Sequence, residues 1–168
     1  MARGKHVAEG ARSGGDSSAA PPDHGDGRPA IDVSEISRTE RRTIRSSDKK
    51  LTIEFEQVSA HMAVLKLAGT LDVYTHRLLR EACEKACSDG YWLLVLDLDD
   101  LDFLDSTGLG TLVSALKRVR AHRGALSLSL TKDRILKIFR ITGLIRVFPT
   151  FPSVTEAKDY LFAGNFGR

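Results

Sequence analysis

Cysteine is scarce in this chain: Cys83 and Cys87 are the only two among 168 residues. They stand four positions apart in a stretch of helical periodicity, which excludes a disulfide framework and a paired zinc-ligand motif and leaves two reduced, core-facing thiols. Long apolar runs are missing as well. No stretch of about 18 apolar residues offers a membrane span, and the opening residues lack the apolar core of a secretory signal, so no membrane association is expected and the compartment is the cytoplasm. Aromatic residues are few, seven Phe, three Tyr and one Trp, mostly among apolar neighbours. A dominant charge is also lacking. The net charge is +3, with 10 basic against 8 acidic residues up to position 50 and 15 against 14 beyond it. A near-neutral folded part without a basic face carrying aromatic platforms argues against direct nucleic-acid binding.

What is present fits one soluble domain with a tail: 42% of residues are hydrophobic and 28% charged. Residues 1–50 are rich in Gly, Ser, Ala, Pro, Asp and Arg, too poor in apolar material to offset the entropy of ordering, and are expected to form a disordered N-terminal tail that contributes little to stability. Between Arg38 and Lys50 the tail becomes more basic, the composition of a solvated linker or of a dock for an acidic partner. The folded domain is expected to span 51–168.

Within it, Leu51, Ile53 and Phe55 alternate with polar residues as in a half-buried strand, and a second strand follows at Ala63–Leu67. Leu78, Leu79, Ala82, Cys83 and Ala86 mark one face of a helix over Thr75–Ser88, stopped by Asp89-Gly90. The nearly unbroken apolar run in Tyr91–Leu98 reads as a central strand buried on both faces, followed by an acidic loop. Leu109, Leu112, Val113, Leu116 and Val119 define a second helix, with basic residues near its C-terminus and Gly124 at its end. A strand at Leu126–Leu130, a short helix around Ile135–Phe139, a brief strand near Val147-Phe148 and a last helix over Ser153–Phe162 complete the order. Strands separated by helices require crossovers, so the fold class is α/β: a mostly parallel sheet, opened by a hairpin and packed with helices.

The stretch Asp105-Ser106-Thr107-Gly108-Leu109-Gly110 falls where the central strand's exit meets the second helix. Ser106 is expected as the N-cap, with Gly108 and Gly110 leaving room for a close visitor, and the bare N–H groups of the first turn favour an added anion. A phosphate on Ser106 would sit near Asp105, Asp97, Asp99, Asp100 and Asp102 and would alter binding more than folding. The plainer reading is a capping serine in a tight turn.

Asp105–Gly110, together with Gly69-Thr70-Leu71-Asp72 after the second strand and Ile141-Thr142-Gly143-Leu144 after the third helix, resembles the STAS domain of bacterial anti-sigma factor antagonists. The resemblance covers roughly residues 51–164. It implies partner switching: the unmodified antagonist holds an anti-sigma factor that is also a serine kinase, thereby freeing a sigma factor, and phosphorylation ends the hold. The phosphorylated serine of that family maps onto Ser106, with Thr107 beside it as the secondary acceptor, and a partner-surface aspartate maps onto Asp72. The implied partner surface comprises Asp72, Asp105, Ser106, Thr107, Gly108 and Leu109, and a serine phosphatase would reset the switch. Thr70 departs from the pattern, which commonly has a glutamate there.

Two other function classes stay open on the residues. One is a scaffold subunit of a multi-STAS stress-sensing assembly. The other is a magnesium-dependent phosphotransfer enzyme using the aspartates of 97–105. That run lacks the glycine and the glutamate of a calcium loop, since Asp102 and Gly108 occupy those positions, and no Walker loop or nucleophile elbow occurs. His61, His76 and His122 share no ligand spacing. The reading is a binding module that needs no cofactor and no metal and serves as a kinase substrate.

Overall fold

A computed structural model describes residues 40–164. Most of the expected tail thus lies outside the described residues. The element order is β1 (Arg41–Arg45), β2 (Leu51–Gln57), β3 (Met62–Leu71), α1 (His76–Ser88), β4 (Leu93–Leu104), α2 (Ser106–Ala121), β5 (Ala125–Ser129), α3 (Asp133–Ile141), a 3-10 turn (Leu144–Arg146), β6 (Thr150–Phe151) and α4 (Val154–Phe162). The six strands lie in sequence order across one sheet. β2 pairs antiparallel with β1 on one side and β3 on the other, and β3 through β6 run parallel.

Strand alternation sorts the side chains onto two faces. Leu65 and Leu67 of β3 and Leu94, Leu96 and Leu98 of β4 join Leu79 and Cys83 of α1, Leu112 and Leu116 of α2 and Ile135 and Phe139 of α3 in the larger core. Met62, Val64, Val95 and Ala125 point the other way and are covered by Ala157 and Leu161 of α4. A sheet covered on both faces explains the continuous apolar run of β4, because neither set of side chains meets water. Each fully buried leucine contributes about 1.5–3 kcal/mol relative to exposure. The same logic makes Cys83 and Cys87 buried thiols on the inward stripe of α1.

Three expectations are corrected. The domain begins ten residues before Leu51: Arg41–Arg45 pairs antiparallel with β2, in register from Arg41 opposite Glu56 to Arg45 opposite Thr52. All five β1 residues are exposed, so no buried face existed to leave an apolar alternation in the sequence. The strand is held by its backbone ladder, by Arg41–Glu56 at 3.5 Å and by the Arg42 guanidinium 4.7 Å above the Phe55 ring; charge on an edge strand also discourages edge-to-edge association. The acidic segment after the central strand is strand, not loop, since β4 continues through Leu104 opposite Leu71. The last strand sits at Thr150-Phe151 instead of Val147-Phe148: Phe148 belongs to a buried T-shaped pair with Phe139, a packing role that mimics a strand's apolar signal.

Candidate partner-binding site at the start of the second helix

The C-terminal ends of β3 and β4 lie side by side, and the two turns leaving them are joined through Asp105. This residue, not Ser106, is the N-cap of α2: its backbone is extended (φ −104, ψ −177) and its carboxylate accepts from the Gly108 N–H at 2.8 Å. The other carboxylate oxygen accepts from the Val73 N–H at 3.1 Å, while the Asp105 N–H donates to the Leu71 carbonyl. Asp105 is therefore a tie between turns 32 residues apart in sequence, and its neighbour is released from capping.

Ser106 is the first helical residue, exposed, and its hydroxyl makes no hydrogen bond among the described residues. The N–H groups of Ser106 and Thr107 likewise find no acceptor there, as the opening residues of a helix must. Thr107 is half-buried, and its carbonyl accepts from the Thr111 hydroxyl at 2.9 Å. Leu109 is buried in the main core, so of the expected contact residues it supports the helix from within. The two glycines differ. A Cβ on Gly108 would lie 2.6 Å from the Leu71 carbonyl oxygen and 2.7 Å from Leu104 Cδ1, so its bareness lets α2 start against the sheet. A Cβ on Gly110 would meet nothing within 4 Å, leaving that side open.

Asp72 sits in the facing turn. Its Oδ1 accepts from the N–H groups of Tyr74 at 2.9 Å and Thr75 at 3.1 Å, and the Thr75 hydroxyl donates to the Thr70 carbonyl at 2.7 Å. The carboxylate is half-buried and shapes the turn that opens α1.

The other aspartates do not gather at Ser106. Asp97 lies nine residues back along the strand, about 20 Å or more away, beyond the roughly 8–10 Å over which exposed charges are felt. Its carboxyl is raised above the ordinary carboxylate value by burial, against a hydrogen bond from the Asp99 N–H. Asp99 accepts from the backbone and hydroxyl of Thr131, Asp100 pairs with Lys66 at 3.2 Å and Asp102 with Lys132 at 3.5 Å. The expected acidic surround thus reduces to Asp105. The carboxylates project along the strand to different neighbours, and among the described residues no three His, Cys, Asp or Glu side chains converge as a metal-ligand group.

A feature not anticipated from the sequence is exposed apolar ground beside the Asp105 tie: Val73 and Tyr74 in the facing turn are 52% and 78% exposed, and Phe103 at the end of β4 is 52% exposed. Phe103 and Ile138 share a groove of about 310 Å³ with Leu104 and Arg134. The signal was available in Val73-Tyr74, an apolar pair set between Asp72 and Thr75. Such a patch rimmed by polar groups is the character of a protein-docking surface. No helix among the described residues is long and apolar enough to cross a membrane.

Comparison with known proteins agrees with this arrangement. The family model described as "STAS domain" matches residues 35–157. The anti-sigma-B factor antagonist of Listeria monocytogenes is 34% identical over 94 residues, covering 56% of this chain and 82% of the relative. An anti-sigma factor antagonist from Mycobacterium paratuberculosis superposes with a TM-score of 0.63 at 23% identity, over 71% of this chain and 99% of that one. The phosphorylated form of the Bacillus cell fate determinant SpoIIAA superposes with a TM-score of 0.53 at 23% identity, over 64% and 97%.

Proposed function

The chain belongs to the STAS domain family, among the anti-sigma factor antagonists, and we propose that it is a partner switch controlled by phosphorylation of Ser106. While Ser106 is unmodified, the surface built from Asp72, Asp105, Ser106, Thr107 and the apolar residues around them holds an anti-sigma factor that is also a serine kinase, and a sigma factor is freed. The kinase phosphorylates Ser106 and lets go; a serine phosphatase restores the first state. The protein works in the cytoplasm as a regulatory binding partner and substrate, not as a catalyst.

The observation that carries this reading is a serine hydroxyl left exposed and unbonded at the first helical position, beside an Asp105 cap that takes the Gly108 N–H and leaves those of Ser106 and Thr107 open. A phosphate there adds about −1.5 to −2 charges at neutral pH. The N–H groups of Ser106 and Thr107 and the positive end of the helix dipole stabilise it in the free protein. At a closed interface the same charge stands beside the Asp105 carboxylate among apolar contacts, where unpaired like charge costs several kcal/mol. The modification therefore spares the fold and ends the partnership.

The test is the affinity of wild type, Ser106→Ala, Ser106→Asp and the phosphorylated protein for the cognate anti-sigma kinase. Ser106→Ala is expected to bind like wild type and to resist phosphorylation. Ser106→Asp and the phosphoprotein are expected to bind on the order of 100-fold more weakly, with unchanged circular dichroism. Equal binding by Ser106→Asp and Ser106→Ala, with phosphate found elsewhere or nowhere by mass spectrometry, would refute the switch.

A further inference from the structure

The far end of α2 carries a second surface that the Ser106 switch does not use. An open groove of about 960 Å³ runs between the end of that helix, the segment leading into β6 and the exposed side of α4. Ile145, Val147, Phe148 and Phe151 give it an apolar lining, and Arg120, Arg123 and Arg146 stand around it, all three exposed. No Asp or Glu lines the groove. Among the described residues none of these three arginines forms an ion pair, whereas Arg118, on the same helix but outside the groove, is bound to Glu84 at 2.9 Å.

The local backbone is committed to this arrangement. Arg123 holds a left-handed conformation, φ 61, at the exit of α2, where glycine or asparagine is the usual occupant. Gly124 follows with no room for a side chain, since a Cβ there would lie 2.0 Å from the Trp92 carbonyl oxygen. The chain therefore turns tightly at this point with a long cation at the groove's edge.

The kind of anion follows from the same geometry. A compact phosphate is best held where helix N–H groups converge, but α2 presents its C-terminus here, with carbonyls and the negative end of the dipole. Guanidinium groups on two separate elements, α2 with its exit and the 3-10 turn, suit carboxylates spaced along an extended chain, each engaged by a planar fork. The apolar lining suits aliphatic or aromatic side chains between its carboxylates. We propose that this groove docks an acidic peptide segment, with apolar residues interspersed, belonging to a partner protein. Because α2 is about 24 Å long, the segment binds without covering Ser106, and both surfaces can be occupied at once.

The experiment selects random twelve-residue peptides displayed on phage against the full chain and titrates a selected peptide into isotope-labelled protein. The expected result is enrichment of sequences with two or more carboxylates flanking apolar residues. Such a peptide should shift the amides of Arg123–Leu126 and of Arg146, Val147, Phe148, Thr150 and Phe151 and leave those of Ser106–Gly110 in place. Arg123→Glu and Arg146→Glu are each expected to weaken it at least tenfold with an unchanged circular dichroism spectrum, while Lys117→Glu, on the same helix outside the groove, leaves it alone. Absence of an acidic consensus, equal binding to the charge-reversed variants, or shifts centred on Ser106 would overturn the proposal. Tighter saturation of the same amides by inorganic pyrophosphate than by any selected peptide would overturn it in favour of a small-anion site.

Discussion

Asp105 and Ser106 are adjacent, yet they answer to different demands. Asp105 accepts from Gly108 and Val73 and so carries both the start of α2 and its tie to the neighbouring turn. Asp105→Ala is expected to cost about 1–2 kcal/mol in urea unfolding, and Ser106→Ala less than about 0.5 kcal/mol, because only the first removes a cap; equal losses would return the cap to Ser106. Asp72 separates shape from charge in the same way. Asp72→Asn keeps an oxygen for Tyr74 and Thr75 and is expected to fold as wild type, whereas Asp72→Ala loses about 1 kcal/mol of turn stability. A fall in kinase affinity for the asparagine variant in calorimetry would assign Asp72 a direct charge contact; unchanged affinity would confine it to the turn. Asp97 is a third case. Its folded-state proton affinity is raised by burial, so the folded chain holds that proton more tightly than the unfolded one, and ionisation disfavours the native state as pH rises. Asp97→Asn is therefore expected to raise the melting temperature at neutral pH, with the gain fading below about pH 4, where the aspartate is protonated in both states. A lower midpoint for the variant at neutral pH would contradict this.

At the scale of elements, β1 distinguishes two truncations. Removing residues 1–39 takes away none of the described structure and is expected to leave the thermal midpoint unchanged. Removing residues 1–48 deletes β1, uncovers the outer edge of β2 and loses the stacking of Arg42 on Phe55. A loss of about 1 kcal/mol, corresponding to roughly 3–5 °C in a domain of this size, is expected for the longer cut. Equal midpoints would mean that the edge strand is bound but contributes nothing. α2 joins the two proposed surfaces, since its first turn presents Ser106 and its last turn borders the arginine groove. Its N-terminal end favours an anion such as a phosphate, whereas its C-terminal end favours cations, here Arg120 and Arg123, and any carboxylate there is held by the arginines against the dipole.

At the scale of the whole molecule, the sheet separates two cores but joins them through one set of strands, so the buried thiols report on global opening. Cys83 is 2% exposed, and burial pushes its thiol up to about 12, with the charge of Cys87 a smaller contribution in the same direction. Alkylation of Cys83 at neutral pH is expected to be slow and to follow the unfolding equilibrium measured in urea. Rapid labelling in native buffer would show that α1 opens independently of the sheet.

Much of this protein was legible in its sequence because the relevant physics is local or periodic. The alternation of Leu51, Ile53 and Phe55, the helical stripe through Leu79 and Cys83, the apolar centre of β4 and the glycine-bearing turn after Asp105 each carry their own signature. The class of the fold and the position of Ser106 follow from those signatures, in order along the chain. Other features depend on partners distant in sequence and leave no such mark. β1 is bound by backbone pairing to β2 and has no buried face. Asp105 caps α2 through a local bond to Gly108, but its second bond, to Val73 32 residues away, has no local signature. The aspartates of β4 were dispersed to Thr131, Lys66 and Lys132, and three arginines from two elements were brought around one groove. Composition and periodicity determined which segments are helix, strand and core; only tertiary packing decided which polar groups meet, because that choice is made between residues whose separation in sequence carries no information about their distance in space.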